Sequence, residues 1–452
     1  MKEKNIDMLQ GHPGALLLRF SLPLMAGNVF QQLYTVVDTA IVGKGVGMTA
    51  LAALGGVDWL NWMFLGIAQG FSQGFGVKIA QKYGEGDQDG LRSAMGSGIR
   101  LSVLVALVAT LVAQFGLDIF LDLLRVKTEL RPFAELYSRI ILAGIPAMVF
   151  YNFTAAVLRA VGDSRTPLTA MTAASVTNIV LDCVAVFWLK WGIAGAAAAT
   201  VFSQCLAGVI CSIQIVKSPY LQIRKEHLVP AASLDQSMMG LGLPIAIQNL
   251  VISVGGMAVQ SVVNNFETAF IAGFTATNKL YGILEIAALS YGYSITTYTG
   301  QNYGAMRYDR IRSGTKWSVW ISLATSAVIC AVMLLLGRPI TMLFISTEDA
   351  LLAASAGDTA YHYLAVMSVC LPILYLLYVY RSALQGMGNT QIPLMSGVVE
   401  FVCRVGLAFI IGRTTWQEGI FYGEVLAWTG AAALLCIAYY RMERNLDKEV
   451  AI

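Results

Sequence analysis

Apolar residues run along this chain in long, nearly unbroken blocks separated by short polar stretches. Blocks of about 20 residues, the length that crosses a hydrocarbon core, lie near 15–40, 50–76, 97–121, 133–158, 166–190, 193–216, 237–262, 268–297, 314–336, 359–383, 393–414 and 418–440. The pattern predicts an all-α polytopic membrane protein with twelve transmembrane helices, because helices satisfy their own backbone groups in lipid. Composition agrees: 57% of the 452 residues are hydrophobic and 13% are charged. No signal-peptide cleavage pattern follows the first block, so it is expected to persist as a helix. The seven cysteines stand singly inside apolar blocks without C-x-x-C spacing, which predicts packing roles.

The chain repeats itself. Leu158-Arg-Ala-Val-Gly162-Asp-Ser-Arg-Thr-Pro167-Leu matches Leu384-Gln-Gly-Met-Gly388-Asn-Thr-Gln-Ile-Pro393-Leu, Gln81-Lys-Tyr-Gly84 matches Gln301-Asn-Tyr-Gly304, and Pro23 matches Pro244. The three pairs occur in the same order at a nearly constant offset. They divide the chain into an N-terminal six-helix bundle, 1–217, a cytoplasmic linker, 218–235, and a C-terminal six-helix bundle, 236–452. An even number of spans per half relates the halves by an axis along the membrane normal, and two such bundles leave a cleft, the layout of an alternating-access carrier. In the Gly-x-x-x-x-Pro loops, Asp163, Arg165 and Asn389 are expected to be solvated turn residues.

Lys and Arg concentrate on alternate connections, at 78–100, 159–165, 217–225, 307–316 and 441–448, and are sparser at 125–139, 190, 338 and 413. This asymmetry places both termini in the cytoplasm. The net charge of +3 is accounted for by orientation signals and implies no nucleic-acid partner.

Inside the apolar blocks a few polar residues carry the chemistry. Asp38 is a lone acid in Tyr34-Thr-Val-Val-Asp38-Thr-Ala-Ile-Val-Gly43, expensive to ionise without a cation, a proton or a partner. Asn178 and Asp182, four apart, share one helix face, and Thr200 follows on the next span. At about 1.5 Å per residue, Asp182 and Thr200 lie roughly 12 Å, and Asp38 roughly 9 Å, from the same membrane face. Four oxygen-bearing side chains from three helices thus share a depth, where two carboxylates must share a proton or hold Na⁺. Asn178 and Thr200 have the alternative of simply bonding helices together.

The second half lacks this set. Glu400 and Arg404, at i and i+4, are expected to form a structural intrahelical ion pair. Tyr34, Met63, Lys279, Tyr281 and Glu285 are candidates to line a substrate cleft, through thioether, ring face and charge, against the alternative of core and lipid-facing roles. Pro23 frees a backbone carbonyl in the Asp38 helix and is expected to bend it.

With these residues in place, the chain resembles the multidrug and toxic compound extrusion (MATE) family over nearly its whole length. The resemblance rests on Pro23 followed by Val37-Asp38-Thr39 and Gly43, on the Gln81 and Gln301-Asn-Tyr-Gly304 motifs, on both Gly-x-x-x-x-Pro loops, and on Asn178-Ile-Val-Leu-Asp182 followed by Gly195-Ala-Ala-Ala-Ala-Thr200. It implies a plasma (inner) membrane antiporter, working as a monomer without a cofactor, that expels small organic cations or amphipathic drugs in exchange for Na⁺ or H⁺. It also implies a cation site at Asp38, Asn178, Asp182 and Thr200. Similar proteins with a second-half cation site carry acids on spans 7 and 10, and none is found there. The wider superfamily includes lipid-linked oligosaccharide flippases, the alternative reading, for which a strongly basic cleft is expected.

Other classes fit poorly. His12, His227 and His362 are isolated and form no catalytic cluster, so no enzyme is expected, and no phosphate loop supports ATP-driven pumping.

Overall fold

A computed structural model of the protein describes residues 6–124, 126–342, 344–345 and 350–450; the outermost residues of both termini lie outside them. Among the described residues there are thirteen α-helices: α1 (Pro13–Gly45), α2 (Met48–Glu85), α3 (Gln88–Leu123), α4 (Arg131–Ala143), α5 (Ile145–Ala160), α6 (Arg165–Cys183), α7 (Gly192–Lys217), α8 (Ala232–Val263), α9 (Thr268–Gly304), α10 (Tyr308–Met342), α11 (Ala350–Gly386), α12 (Gln391–Ile411) and α13 (Phe421–Val450). Nine elements of this set are long and apolar enough to cross a membrane, and α4 with α5 makes a tenth span broken by 44°. The break falls at Gly144 and Pro146, where proline removes a helical N–H and kinks the chain. The two remaining helices, α1 and α9, are the ones that carry Asp38 and, separately, Lys279 and Glu285.

The chain divides into two compact units. One takes the stretch ending at Gln10, Leu22–Leu250 and Gly300–Met306; the other takes Gly11–Ser21, Val251–Thr299 and the chain from Arg307. In the first unit α2 packs on α3, α4 and α5, and α7 on α5 and α6. Its core includes Phe75, Ile79, Leu91, Met95, Phe153 and Val157. Along α2, Gly66, Gly70 and Gly74 face Asn249, Ala246 and Gly242 of α8, and Asn249 Nδ2 donates to the Gly66 carbonyl at 2.8 Å. Small residues at four-residue spacing bring two backbones together where lipid gives helices no hydrophobic reason to associate. In the second unit α11 packs on α10, α12 and α13, and Tyr363 stacks on Phe421 with ring centroids 4.5 Å apart.

The repeated loops correct one expectation. Asp163 is buried, not solvated: its carboxylate accepts from the Arg165 and Thr166 amides at 3.0 and 2.9 Å and from the Thr166 hydroxyl at 2.6 Å. It caps the start of α6, whose leading amides have no helical partner. Asn389 does the same work for α12 more weakly, accepting from Ile392 at 3.3 Å. Gly162 and Gly388 precede these caps with φ of 89° and 86°, a left-handed turn open to glycine at little cost.

A comparable cap lies between α2 and α3. Asp87 accepts from the Gly90 amide at 2.8 Å, and Lys82 lies 3.3 Å from its other oxygen. The Gly90 N–H, aided by Lys82, holds the Asp87 carboxyl below the usual carboxylate range. Asp87→Ala is expected to cost about 1 kcal/mol in thermal unfolding of the detergent-solubilised protein. Because the folded-state pKa is depressed, the wild-type advantage is present above the unfolded value and lost as pH falls through the folded one.

Candidate ion site

In the first unit the structure brings Asp38 of α1, Asn178 and Asp182 of α6 and Thr200 of α7 together. Asp182 is fully buried, Asn178 is 1% exposed and Asp38 8%. The carboxyl groups of Asp38 and Asp182 lie near enough to act on one another electrostatically. Asn178 Nδ2 donates to Thr200 Oγ1 at 3.4 Å, and that hydroxyl donates to the Ala196 carbonyl at 3.1 Å. Asp38 Oδ1, Asn178 Oδ1 and both oxygens of Asp182 have no protein hydrogen-bond partner.

The local sequence explains the arrangement. Asn178 and Asp182 sit one turn apart, and directly after Asp182 the helix widens into a π turn, Val184–Trp188, a distortion often found at functional sites. Gly195 of α7 packs against Ala185 of that turn, with its would-be Cβ 2.8 Å from the alanine Cβ, which keeps α7 close enough for Thr200 to join the set.

Acceptors thus outnumber donors at a buried point. Two adjacent carboxylates without a cation or a shared proton would each bear the cost of an unpaired buried charge. An all-oxygen set from Asp, Asn and Thr suits a hard monovalent cation, and the carboxyl pair equally suits one shared proton. Beside it, a cavity of about 10 Å³ is lined by Tyr34, Met171, Asn178, Thr200, Ser203 and Gln204. That is about the room one water needs.

Three contributors escaped the sequence reading. Asp58 of α2 lies near enough to act electrostatically on Asp38. Ser203 and Gln204 of α7 bring further partnerless oxygens. Asp58 was visible as an acid inside the second apolar block; Ser203 and Gln204 gave no signal beyond ordinary polarity.

The other candidates lie elsewhere. Met63 is buried in α2, and Lys279 is exposed on α9. Tyr281 stacks on Trp428, with centroids 6.0 Å apart. Pro23 lies inside α1, which runs as one helix on both sides of it.

Glu285 accepts from the Tyr378 hydroxyl in the second unit, both residues half-buried. There the expected Glu400–Arg404 pair is replaced. Glu400 pairs with Arg381 of α11, which also reaches Ser396, and Arg404 pairs with Glu424 of α13 at 2.8 Å. Each arginine takes its carboxylate from a neighbouring helix and not from its own, although the Nε of both Arg381 and Arg404 stays buried without a hydrogen-bond partner. Glu400→Gln, which strands the Arg381 charge, is expected to cost about 3–5 kcal/mol in thermal unfolding, while Arg381→Met with Glu400→Leu recovers most of it.

A family model described as MatE matches residues 23–184 and again 244–410, each match beginning on a helix proline. The chain belongs to the MatE family. It is 28% identical over 444 residues to the probable multidrug resistance protein YpnP of Bacillus subtilis (strain 168), covering 98% of both chains. It is 24% identical over 464 residues to the FAD transporter of Shewanella oneidensis, covering 100% of this chain and 98% of that one. A solved structure described as the outward-facing conformation of a multidrug resistance MATE family transporter of the MOP superfamily superposes with TM-score 0.90 at 25% identity, over 99% of this chain and 100% of that one. This MatE protein is therefore an all-α, multi-pass membrane protein of twelve transmembrane helices, α4 and α5 together forming one, and its family consists of transporters, not enzymes.

Proposed function

We propose that this MatE protein is a secondary antiporter of the plasma (inner) membrane that exports cationic or amphipathic organic compounds in exchange for Na⁺ or H⁺. The carrying observation is the cluster of partnerless oxygens on Asp38, Asn178 and Asp182, joined by Thr200. The relatives' multidrug resistance names support the export role.

In this reading the protein works as a monomer, needs no cofactor besides the coupling ion, and keeps both termini in the cytoplasm. The repeats, 1–217 and 236–452 about the linker 218–235, alternate access to a cleft to which Tyr34, Met63, Lys279, Tyr281 and Glu285 contribute. Cation uptake between Asp38 and Asp182 removes their mutual repulsion. Pro23, by leaving the Arg19 carbonyl without its helical donor, lets α1 bend as that charge changes. Reciprocity requires that bound substrate weaken cation binding by the factor by which the cation weakens substrate binding. The flippase alternative gains nothing from the second unit, where Arg381 and Arg404 are both tied to glutamates and unavailable to a pyrophosphate.

The test is efflux of a fluorescent lipophilic cation from proteoliposomes under an imposed Na⁺ gradient and, separately, a pH gradient. Efflux driven by one gradient supports antiport and names the ion. Folded protein that responds to neither gradient overturns it.

A further inference from the structure

The repeated Gln-x-Tyr-Gly motif forms a reciprocal contact in the first unit that the ion site does not use. A side chain on Gly84, at the end of α2, would overlap the Gln301 carbonyl, and one on Gly304, at the end of α9, would overlap the Gln81 carbonyl. The two helix ends therefore cross backbone to backbone, each glycine admitting the other's glutamine carbonyl. Further hydrogen bonds fasten the crossing. The Gln301 amide donates to the Ala160 carbonyl at 2.7 Å, and the Asn302 amide donates to the Met8 carbonyl at 3.1 Å. Met8 is fully buried, and the Ile6 amide donates to the Gly162 carbonyl at 2.9 Å. The segment before α1 is thus held by both ends of the crossing's support, the 160–162 turn and α9.

We propose that the ends of α2 and α9 form a two-fold gate, and that residues 6–10 are its bolt. The inference rests on the alternating-access reading: a carrier closed at this face must separate the two helix ends in part of its cycle. The reciprocal glycine contact suits that, because it seals by shape with no side chain to withdraw, while the Asn302–Met8 and Gln301–Ala160 bonds and the burial of Met8 add to the cost of opening. Burial of Met8 makes the N-terminal segment part of the closed state and ties its release to the same event.

Hydrogen exchange of the purified full-length protein tests this. Asn302→Ala is expected to raise exchange in 6–10, 81–86 and 300–306 together by roughly fivefold, the opening that follows loss of one buried hydrogen bond, with α12 unchanged. Gly84→Ala, which wedges the crossing, is expected to raise the same three segments further. Unchanged exchange in both variants overturns the gate, as does a rise spread equally over α12, which would mean general destabilisation. A rise in 300–306 without one in 6–10 overturns the bolt. Exchange is read without transport, so failure of the gate and failure of the antiport assay are separate results.

Discussion

Asp182→Asn is expected to abolish ion-driven efflux, to the level of protein-free vesicles, while leaving the protein at least as stable as wild type. Both Asp182 oxygens are buried without a partner beside a second carboxyl. An amide in that place removes one charge and donates to Asp38, so thermal unfolding in detergent should show a gain of about 1 kcal/mol or no change. Asp38→Asn is expected to lose coupling in the same way. The combination separates a functional site from a structural one, since a helix-bonding role predicts lost stability with transport retained. A second readout follows from linkage. If Na⁺ is the coupling ion, saturating it at about 100 times its dissociation constant should stabilise wild type by about 2.7 kcal/mol. Neither variant should respond. If the ion is H⁺, Na⁺ should leave the melting of all three proteins unchanged. Wild-type coupling in either variant would remove these carboxylates from the mechanism.

Gly70→Leu is expected to be the most damaging single change outside the ion site. A Cβ there would lie 2.6 Å from the Ala246 nitrogen and 2.8 Å from the Ile245 carbonyl carbon, backbone atoms with nowhere to move. Forcing α8 off α2 should cost about 3 kcal/mol or more, measured as lost folded yield and a lower melting temperature. Gly66→Ala meets only the Asn249 side chain, with its Cβ at 3.2 Å, and should be milder. Gly55→Ala, in the same helix with open space around it, should be neutral or stabilise by up to about 1 kcal/mol, because alanine favours the helix. Equal damage at Gly55 and Gly70 would mean that helix propensity, not close approach, dominates on α2.

The buried charges of the second unit show what sequence spacing cannot reach. Glu400 and Arg404 stand at the spacing of an intrahelical pair, yet Arg381 and Glu424 take their places as partners. Spacing fixes which residues share a face, but not which neighbouring helix that face meets. Asp163 is similar: Gly162 and Pro167 mark the turn correctly, while burial of the carboxylate depends on the bundle packed around it.

The all-helical membrane class and the repeat were legible in the chain itself, and Asp38, Asn178, Asp182 and Thr200 stood out there as candidates. Length and apolarity of a block, recurrence of a motif and the oddity of an acid in lipid are local properties of the chain. Only the folded structure shows that these four residues converge, that Ser203 and Gln204 adjoin them while Asp58 acts on Asp38 electrostatically, that α4 and α5 break one span by 44°, and that Gly84 and Gly304 admit each other's backbone. Each of those depends on how helices distant in sequence rotate and approach. In lipid, that is set by close packing and buried polar partners, because the hydrophobic pattern is equally content with any face toward its neighbour.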